Sequence, residues 1–166
     1  MRAALCRALH SRRGSAAVEF AIVALPLVTL FVGIVEISWQ LTTGAALDEA
    51  VLRASRFGIT GQARSPGEPP EYTCRSDAIK WIITGSTGGF LKSDPAHLTV
   101  TMEASTSPSG GTPVAGAGSG GQIVTYTVDY KQPFLTGAFA LIGGSASLTH
   151  RVIAVVKNEP FDNAPC

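Results

Sequence analysis

One carboxylate, Glu19, stands out by its position, because it directly precedes sixteen uncharged residues, Phe20 to Val35. A charge at the centre of a membrane-spanning helix costs roughly 2.5 to 3.5 kcal/mol on insertion scales, so an acid at the edge of such a segment needs a partner. A cut between Gly14 and Ser15 would create an α-amino group four residues before Glu19. This amine could neutralise the carboxylate of its own or of a neighbouring chain. The alternative is a first-turn acid that only complements the helix dipole.

The uncharged run itself predicts a helix that spans a membrane. At ~1.5 Å per residue it covers roughly 24 Å, and residues 37–41 extend it to the thickness of a hydrocarbon core. Four arginines and no acid precede Ser15, whereas the rest of the chain has nine basic residues against twelve acidic ones. By the positive-inside rule, the N-terminus stays in the cytoplasm and the chain after about Leu41 is exported.

Two other interpretations of the run are a buried core helix and a secretory signal peptide. The unbroken run of uncharged residues behind the arginines argues against a core helix. A signal peptide has a small-residue cleavage site after a shorter apolar region, whereas here residues 14–17 are small and precede it. A membrane-spanning helix therefore remains the prediction.

The exported part shows no arrangement typical of catalysis or of metal binding. His97 and His150 lie on predicted strands without ligand-like spacing, and no catalytic or phosphate-binding motif is present. The part after the arginines is mildly acidic and has no basic patch, which excludes a nucleic-acid surface. We therefore expect no enzyme activity, no cofactor, no metal and no nucleic-acid partner.

The cysteines agree with export. Cys6 lies among the arginines, whereas Cys74 and Cys166 lie in the part predicted to enter an oxidising compartment, where they could form a disulfide. The alternative is two unrelated thiols.

Periodicity outlines the remaining elements. The helix is expected to continue over 42–58, since apolar residues recur on one face, and to stop at Gly58 and Gly61. Pro26 is expected either to kink it or to leave one carbonyl unpaired. A short helix follows at 76–85, and alternating strands are expected at 97–103 and 122–130. A third strand is expected at 147–159, central or covered because Val152 to Val156 is apolar on both faces. The Gly/Ser-rich segment 105–121 is expected to be a flexible loop without a core.

The segment "RRGSAAVEFAIVALPLVTLFVGIVEISWQLTTGAALDEAVLRASR" resembles the signature of TadE-like minor pseudopilins of the tight-adherence (Flp-type) pilus system. The resemblance covers about residues 12 to 58. It rests on basic residues before Gly14, the Val18-Glu19-Phe20 unit, Leu25-Pro26, Glu36 at the end of the apolar stretch, and Ala54-Ser55-Arg56. The tail "VVKNEPF" also looks like the end of these proteins. Ser15 departs from the large apolar residue of better-known type IV pilins, and Val18-Glu19-Phe20 in place of the Glu-Tyr of major pilins favours a minor subunit.

The resemblance implies a fold and a function. The periodicity by itself predicts an α+β layout, with a long N-terminal transmembrane helix packed on a small antiparallel sheet of about three strands, and the resemblance adds that this fold would be pilin-like. Its parts would be a basic leader peptide (1–14), a transmembrane helix (15–41) and an exported domain (42–166), the last comprising a helix continuation (42–58) and a short helix with the sheet (59–166). A prepilin peptidase would cut between Gly14 and Ser15, and Glu19 and Phe20 would make assembly contacts.

The implied place is the inner membrane, crossed once, with a periplasmic C-terminal domain that can be incorporated into a surface pilus. The implied partners are other pilus subunits and pseudopilins, the prepilin peptidase, the inner-membrane assembly platform and the lipid bilayer. Glu36, beside Trp39, is expected at the interface on the outer face of the membrane, and the alternative for it is a second assembly contact. The alternative function is an uncleaved, single-pass, membrane-anchored periplasmic binding domain.

Overall fold

The computed structural model describes residues 14–62, 64–68, 73–107, 111–137 and 143–162. The chain divides into two compact units, one ending at Trp39 and the other starting at Gln40. The first unit is helical. The second contains the end of the same helix, a short helix and a sheet.

The first helix, α1, runs from Ser15 to Ile59 and includes Pro26. It is long and apolar enough to cross a membrane, with an 18-residue window of mean hydropathy 2.5 that is only 6% buried. The hydroxyls of Thr29 and Ser38 donate to the carbonyls of Leu25 and Ile34, each at 2.8 Å. Because these polar groups are satisfied within the helix, they add little to the cost of placing it in lipid.

The C-terminal part of α1 supplies one side of the core of the second unit. Its apolar positions recur at helical spacing and are almost fully buried: Leu47, Ala50, Val51 and Ala54. The helix ends at Ile59, between the two glycines that were expected to stop it, Gly58 and Gly61. Gly58 is also a close-approach position, since a Cβ there would overlap the Tyr126 hydroxyl. Gly61, with φ of +69°, lies in the turn that follows.

The second helix, α2, runs from Arg75 to Gly85 and buries Ala78, Ile79 and Ile83. These three side chains share one face, so α2 also packs on the core.

The sheet has four antiparallel strands: β1 (Leu98–Ser105), β2 (Val114–Ala115), β3 (Ile123–Pro133) and β4 (Ser147–Lys157). Their order is β2-β1-β3-β4. In the register, Met102 lies opposite Tyr126, and Val128 lies opposite Val152. Alternate residues of β3 point into the core and are buried: Val124, Tyr126, Val128, Tyr130 and Gln132.

The predicted α+β, pilin-like class is confirmed, with two differences in the sheet. The extra strand, β2, lies within the segment 105–121 that we expected to lack a core, and Ala117 of that segment is fully buried. The expected central or covered position of Val152 to Val156 is wrong, because β4 is the edge strand of the described sheet. A run that is apolar on both faces is compatible with either position, since it does not reveal whether another strand lies beyond it.

Candidate functional site

The start of α1 brings together two of the residues singled out from the sequence. Gly14 immediately precedes the helix, and Ser15 is its first residue. The Ser15 hydroxyl donates to Oε1 of Glu19 at 2.8 Å, and both side chains are exposed. The carboxylate is therefore held within its own helix by the residue that would carry a new amine after a cut at Gly14.

Glu19 is the fifth residue of α1, one position past the first turn, which contains no acidic residue. The interaction of a charge with the helix dipole weakens beyond that turn. The structure adds the hydrogen bond from Ser15, and the dipole alternative stays open beside it.

Glu19 stands among exposed apolar side chains. Val18 is 60% exposed, Phe20 is 74% exposed, and the large apolar residues onward to Leu41 are mostly as open. Contiguous apolar surface of this size is rare on soluble monomers and marks contact with lipid or with other proteins. Phe20, expected in an assembly contact, belongs to this surface.

Gly14 is not required by packing. A Cβ built there meets no atom within 4 Å. The described structure therefore gives no steric reason for a glycine at this position.

Glu36 is buried, with 1% of its surface exposed. Its expected position at the outer face of the membrane stays a prediction.

A buried cation, Arg75, organises the second unit and was missed from the sequence. It is fully buried and donates to the carbonyls of Gly58, Ala117 and Gly118. Its guanidinium carbon also lies 4.7 Å from the centre of the Phe161 ring. Burial lowers the Arg75 pKa, against a smaller opposing effect of Tyr126. The carbonyls offset the loss of water around the charge.

The C-terminal tail closes the same region. The Asn158 side-chain amide donates to the carbonyls of Ala117 and Ser119, each at 3.0 Å. The backbone N–H of Glu159 donates to the Ile59 carbonyl at the end of α1, also at 3.0 Å. The tail motif noted in the sequence therefore supplies a donor for the Ile59 carbonyl, one of the carbonyls that a helix leaves unpaired at its C-terminus.

Only one of the two cysteines of the predicted disulfide, Cys74, lies among the described residues. Cys74, at the N-cap position of α2, is disulfide-bonded. Cys166 and Cys6 lie outside the described residues, so the pairing of Cys74 with Cys166 stays a prediction.

The histidines make local polar contacts. His97 Nδ1 lies 2.8 Å from an Asp94 carboxylate oxygen, and His150 Nε2 lies 2.9 Å from the Gln40 side-chain oxygen. Hydrogen bonding from His97 lowers the pKa of Asp94. In the part of the chain that is described, no group of three or more His, Cys, Asp or Glu side chains could hold a metal ion.

The long apolar helix, with its C-terminal part packed against a four-stranded antiparallel sheet, defines a pilin-like α+β protein. Residues 14–56 match the family model described as TadE-like protein. The chain therefore carries a TadE-like family domain, and the resemblance inferred from its residues is confirmed. TadE-like proteins are not known as enzymes. No curated protein and no solved structure matches the chain.

Proposed function

We propose that this chain is a minor pseudopilin that takes part in assembly of a tight-adherence (Flp-type) pilus after a prepilin peptidase cuts it behind Gly14. The observation that carries the proposal is the apolar surface of α1, whose most apolar window is 6% buried in the chain itself. The family domain, which starts at Gly14, supports the same role.

The apolar surface of α1 has to be shielded from water both in the membrane-bound subunit and in the assembled fibre. In the inner membrane, lipid chains cover it, with the N-terminus cytoplasmic and the second unit periplasmic. In a fibre, the apolar helices of neighbouring subunits and pseudopilins replace the lipid. The same surface thus serves as membrane anchor and as assembly surface, and its partners are the bilayer, the assembly platform and other pilus subunits.

Cutting behind Gly14 changes the charge at the start of α1. It converts the Ser15 amide into an ammonium group on the residue whose hydroxyl already contacts Glu19. The ammonium can neutralise this carboxylate, or that of a neighbour whose helix starts alongside. Exchange between the two pairings offsets the cost of an ion at the lipid edge at every stage.

A mass measurement tests the cleavage. The full chain is expressed with and without a prepilin peptidase, and the membrane-bound product is weighed intact. We expect the mass of residues 15–166 with the peptidase and of residues 1–166 without it. An unshortened product in the presence of an active peptidase would refute cleavage and favour an uncleaved, membrane-anchored periplasmic binding domain.

A glycine pair gives the matched control. Gly14→Leu should stay uncut but membrane-bound, whereas Gly33→Leu should be cut normally. A Cβ at either glycine meets no atom within 4 Å, so folding does not separate the two variants. Equal cutting of both would contradict recognition at Gly14.

A further inference from the structure

The outer face of the sheet is polar except at one edge. Outward residues of the two inner strands are mostly hydroxylic or charged, such as Thr101, Thr127 and Asp129. On β4, by contrast, Ile153 is 59% exposed and Val155 is 63% exposed. The exposed apolar side chains of the outer face are therefore concentrated on β4, one of the two edge strands.

The two edges of the sheet are built differently. On one edge β2 has two residues, and short strands of this kind blunt an edge against pairing with other chains. On the other edge β4 has eleven residues, and in the part of the chain that is described it pairs only with β3. A long edge strand presents a row of backbone N–H and C=O groups that only another extended chain can match.

The inner face of β4 is also incompletely covered. Val152, Ala154 and Val156 pack against the core but remain only partly buried, whereas their partners on β3, such as Val128, are fully buried. A strand added beyond β4 would cover both faces at once, because its side chains alternate between them.

Charge defines the partner further. The outer face of β4 reads Arg151, Ile153, Val155, Lys157, with two cations around the apolar pair. Arg151 already forms an ion pair with Asp129, since its Nε lies 2.6 Å from Asp129 Oδ1. Lys157 makes no salt bridge with any described residue. A partner that supplies an acid there gains a cross-strand ion pair.

We infer that β4 is a docking edge for an extended strand of another polypeptide, one with apolar residues opposite Ile153 and Val155 and a carboxylate opposite Lys157. The strand adds to the sheet by backbone hydrogen bonds, and its alternate side chains select it. The inference rests on the second unit alone and stands apart from cleavage and from the membrane role of α1.

The test uses the full chain in nanodiscs of neutral lipid and a fluorescent peptide containing Glu-Thr-Val-Thr-Val-Thr. Antiparallel pairing on β4 puts its glutamate opposite Lys157 and its valines opposite Val155 and Ile153. We expect saturable binding by anisotropy, at least about threefold tighter than for the same peptide with lysine in place of glutamate. Binding should also slow amide exchange at every second residue of β4, because alternate N–H groups face the free edge.

Charge-reversal variants distinguish binding of the peptide in one register from nonspecific binding. Lys157→Glu should invert the preference between the two peptides, and Ile153→Lys should abolish saturable binding. Lys131→Glu, the same reversal on β3, should leave the preference unchanged. The inference is overturned by absence of saturable binding, by equal binding to the Ile153→Lys variant, or by exchange protection of β4 that anionic lipid alone produces without peptide.

Discussion

The hydroxyl of Ser15 donates a hydrogen bond to Oε1 of Glu19 across one turn at the very start of α1. This contact exists before any cut, so the carboxylate is already oriented toward the residue that would gain the ammonium. An acid held in this way among exposed apolar side chains is costly to a lone subunit unless a cation arrives. On the proposed assembly role, it is the charge of Glu19, as well as its shape, that assembly would use.

Removing that charge should separate assembly from insertion and cutting. We expect Glu19→Gln and Glu19→Ala to insert and to be cut behind Gly14, because neither process needs an ion at this position. Both variants should then fail to support piliation, measured by shearing pili from cells, with cutting followed by gel shift.

A second acid of α1 serves as the control. Glu49 is exposed and pairs with Arg53 one turn later, an arrangement of small energetic value. Glu49→Gln should therefore be cut and should support normal piliation. Normal piliation of both Glu19 variants would show that the carboxylate has no assembly role.

The disulfide of Cys74 can be assigned by counting thiols. If it joins Cys166, the unreduced mature protein should label no thiol, and Cys74→Ser should expose one. The ring would hold about ninety residues, for which the chain-entropy model gives an upper figure of roughly 4 to 5 kcal/mol of stabilisation. Two reactive thiols on the unreduced protein would rule the bond out.

Loss of Arg75 should destabilise the second unit strongly. Arg75→Met keeps the aliphatic stem but leaves the carbonyls of Gly58 and Gly118 without the Arg75 donor, whereas Ala117 keeps its hydrogen bond from Asn158. We expect the free energy of unfolding to fall by about 2 kcal/mol or more, since each unpaired buried polar group costs about 1 to 3 kcal/mol. Chemical denaturation of the full chain in detergent, followed by tryptophan fluorescence, measures this change.

Arg151 offers the matched arginine. Its side chain is 63% exposed and pairs with Asp129 on the sheet surface. Because exposed ion pairs contribute little, Arg151→Met should cost less than about 1 kcal/mol. Equal losses of unfolding free energy in the two variants would mean that the buried hydrogen bonds of Arg75 do not stabilise the second unit.

Stability should fall with acidification through His150. Burial lowers the His150 pKa from its ordinary value of 6.5, partly opposed by the charge of Asp48. A depressed histidine pKa means that the unfolded chain binds the proton more readily than the folded one. The contribution is therefore fully present above about pH 6.5 and is lost as the pH falls through the lower, folded pKa.

Denaturation at pH 7.5 and pH 5.0 measures this contribution. We expect the drop in unfolding free energy to be larger for the natural chain than for His150→Gln, which retains a polar side chain near Gln40 but cannot titrate. A drop of the same size in both would assign the pH dependence to other groups.

Much of α1 was predictable because the requirements of a membrane-spanning helix are met by local composition alone. Sixteen uncharged residues behind four arginines are enough to indicate a spanning helix, whatever the rest of the chain does. The strands β1 and β3 were predictable for a similar reason, since alternation along six to nine residues reports which side chains face the core. Gly14 and Glu19 were identified by their spacing, and the family domain at 14–56 covers both.

The interior of the second unit was decided by tertiary structure. Arg75 reaches carbonyls 42 and 43 residues away, and its burial is tolerable only because two separate segments, the end of α1 and residues 117–118, bring acceptors to it. No local pattern distinguishes such an arginine from an exposed one. The edge position of β4 has the same origin, because Val152 to Val156 records which side chains the strand carries, while the presence of a neighbour depends on contacts between distant parts of the chain.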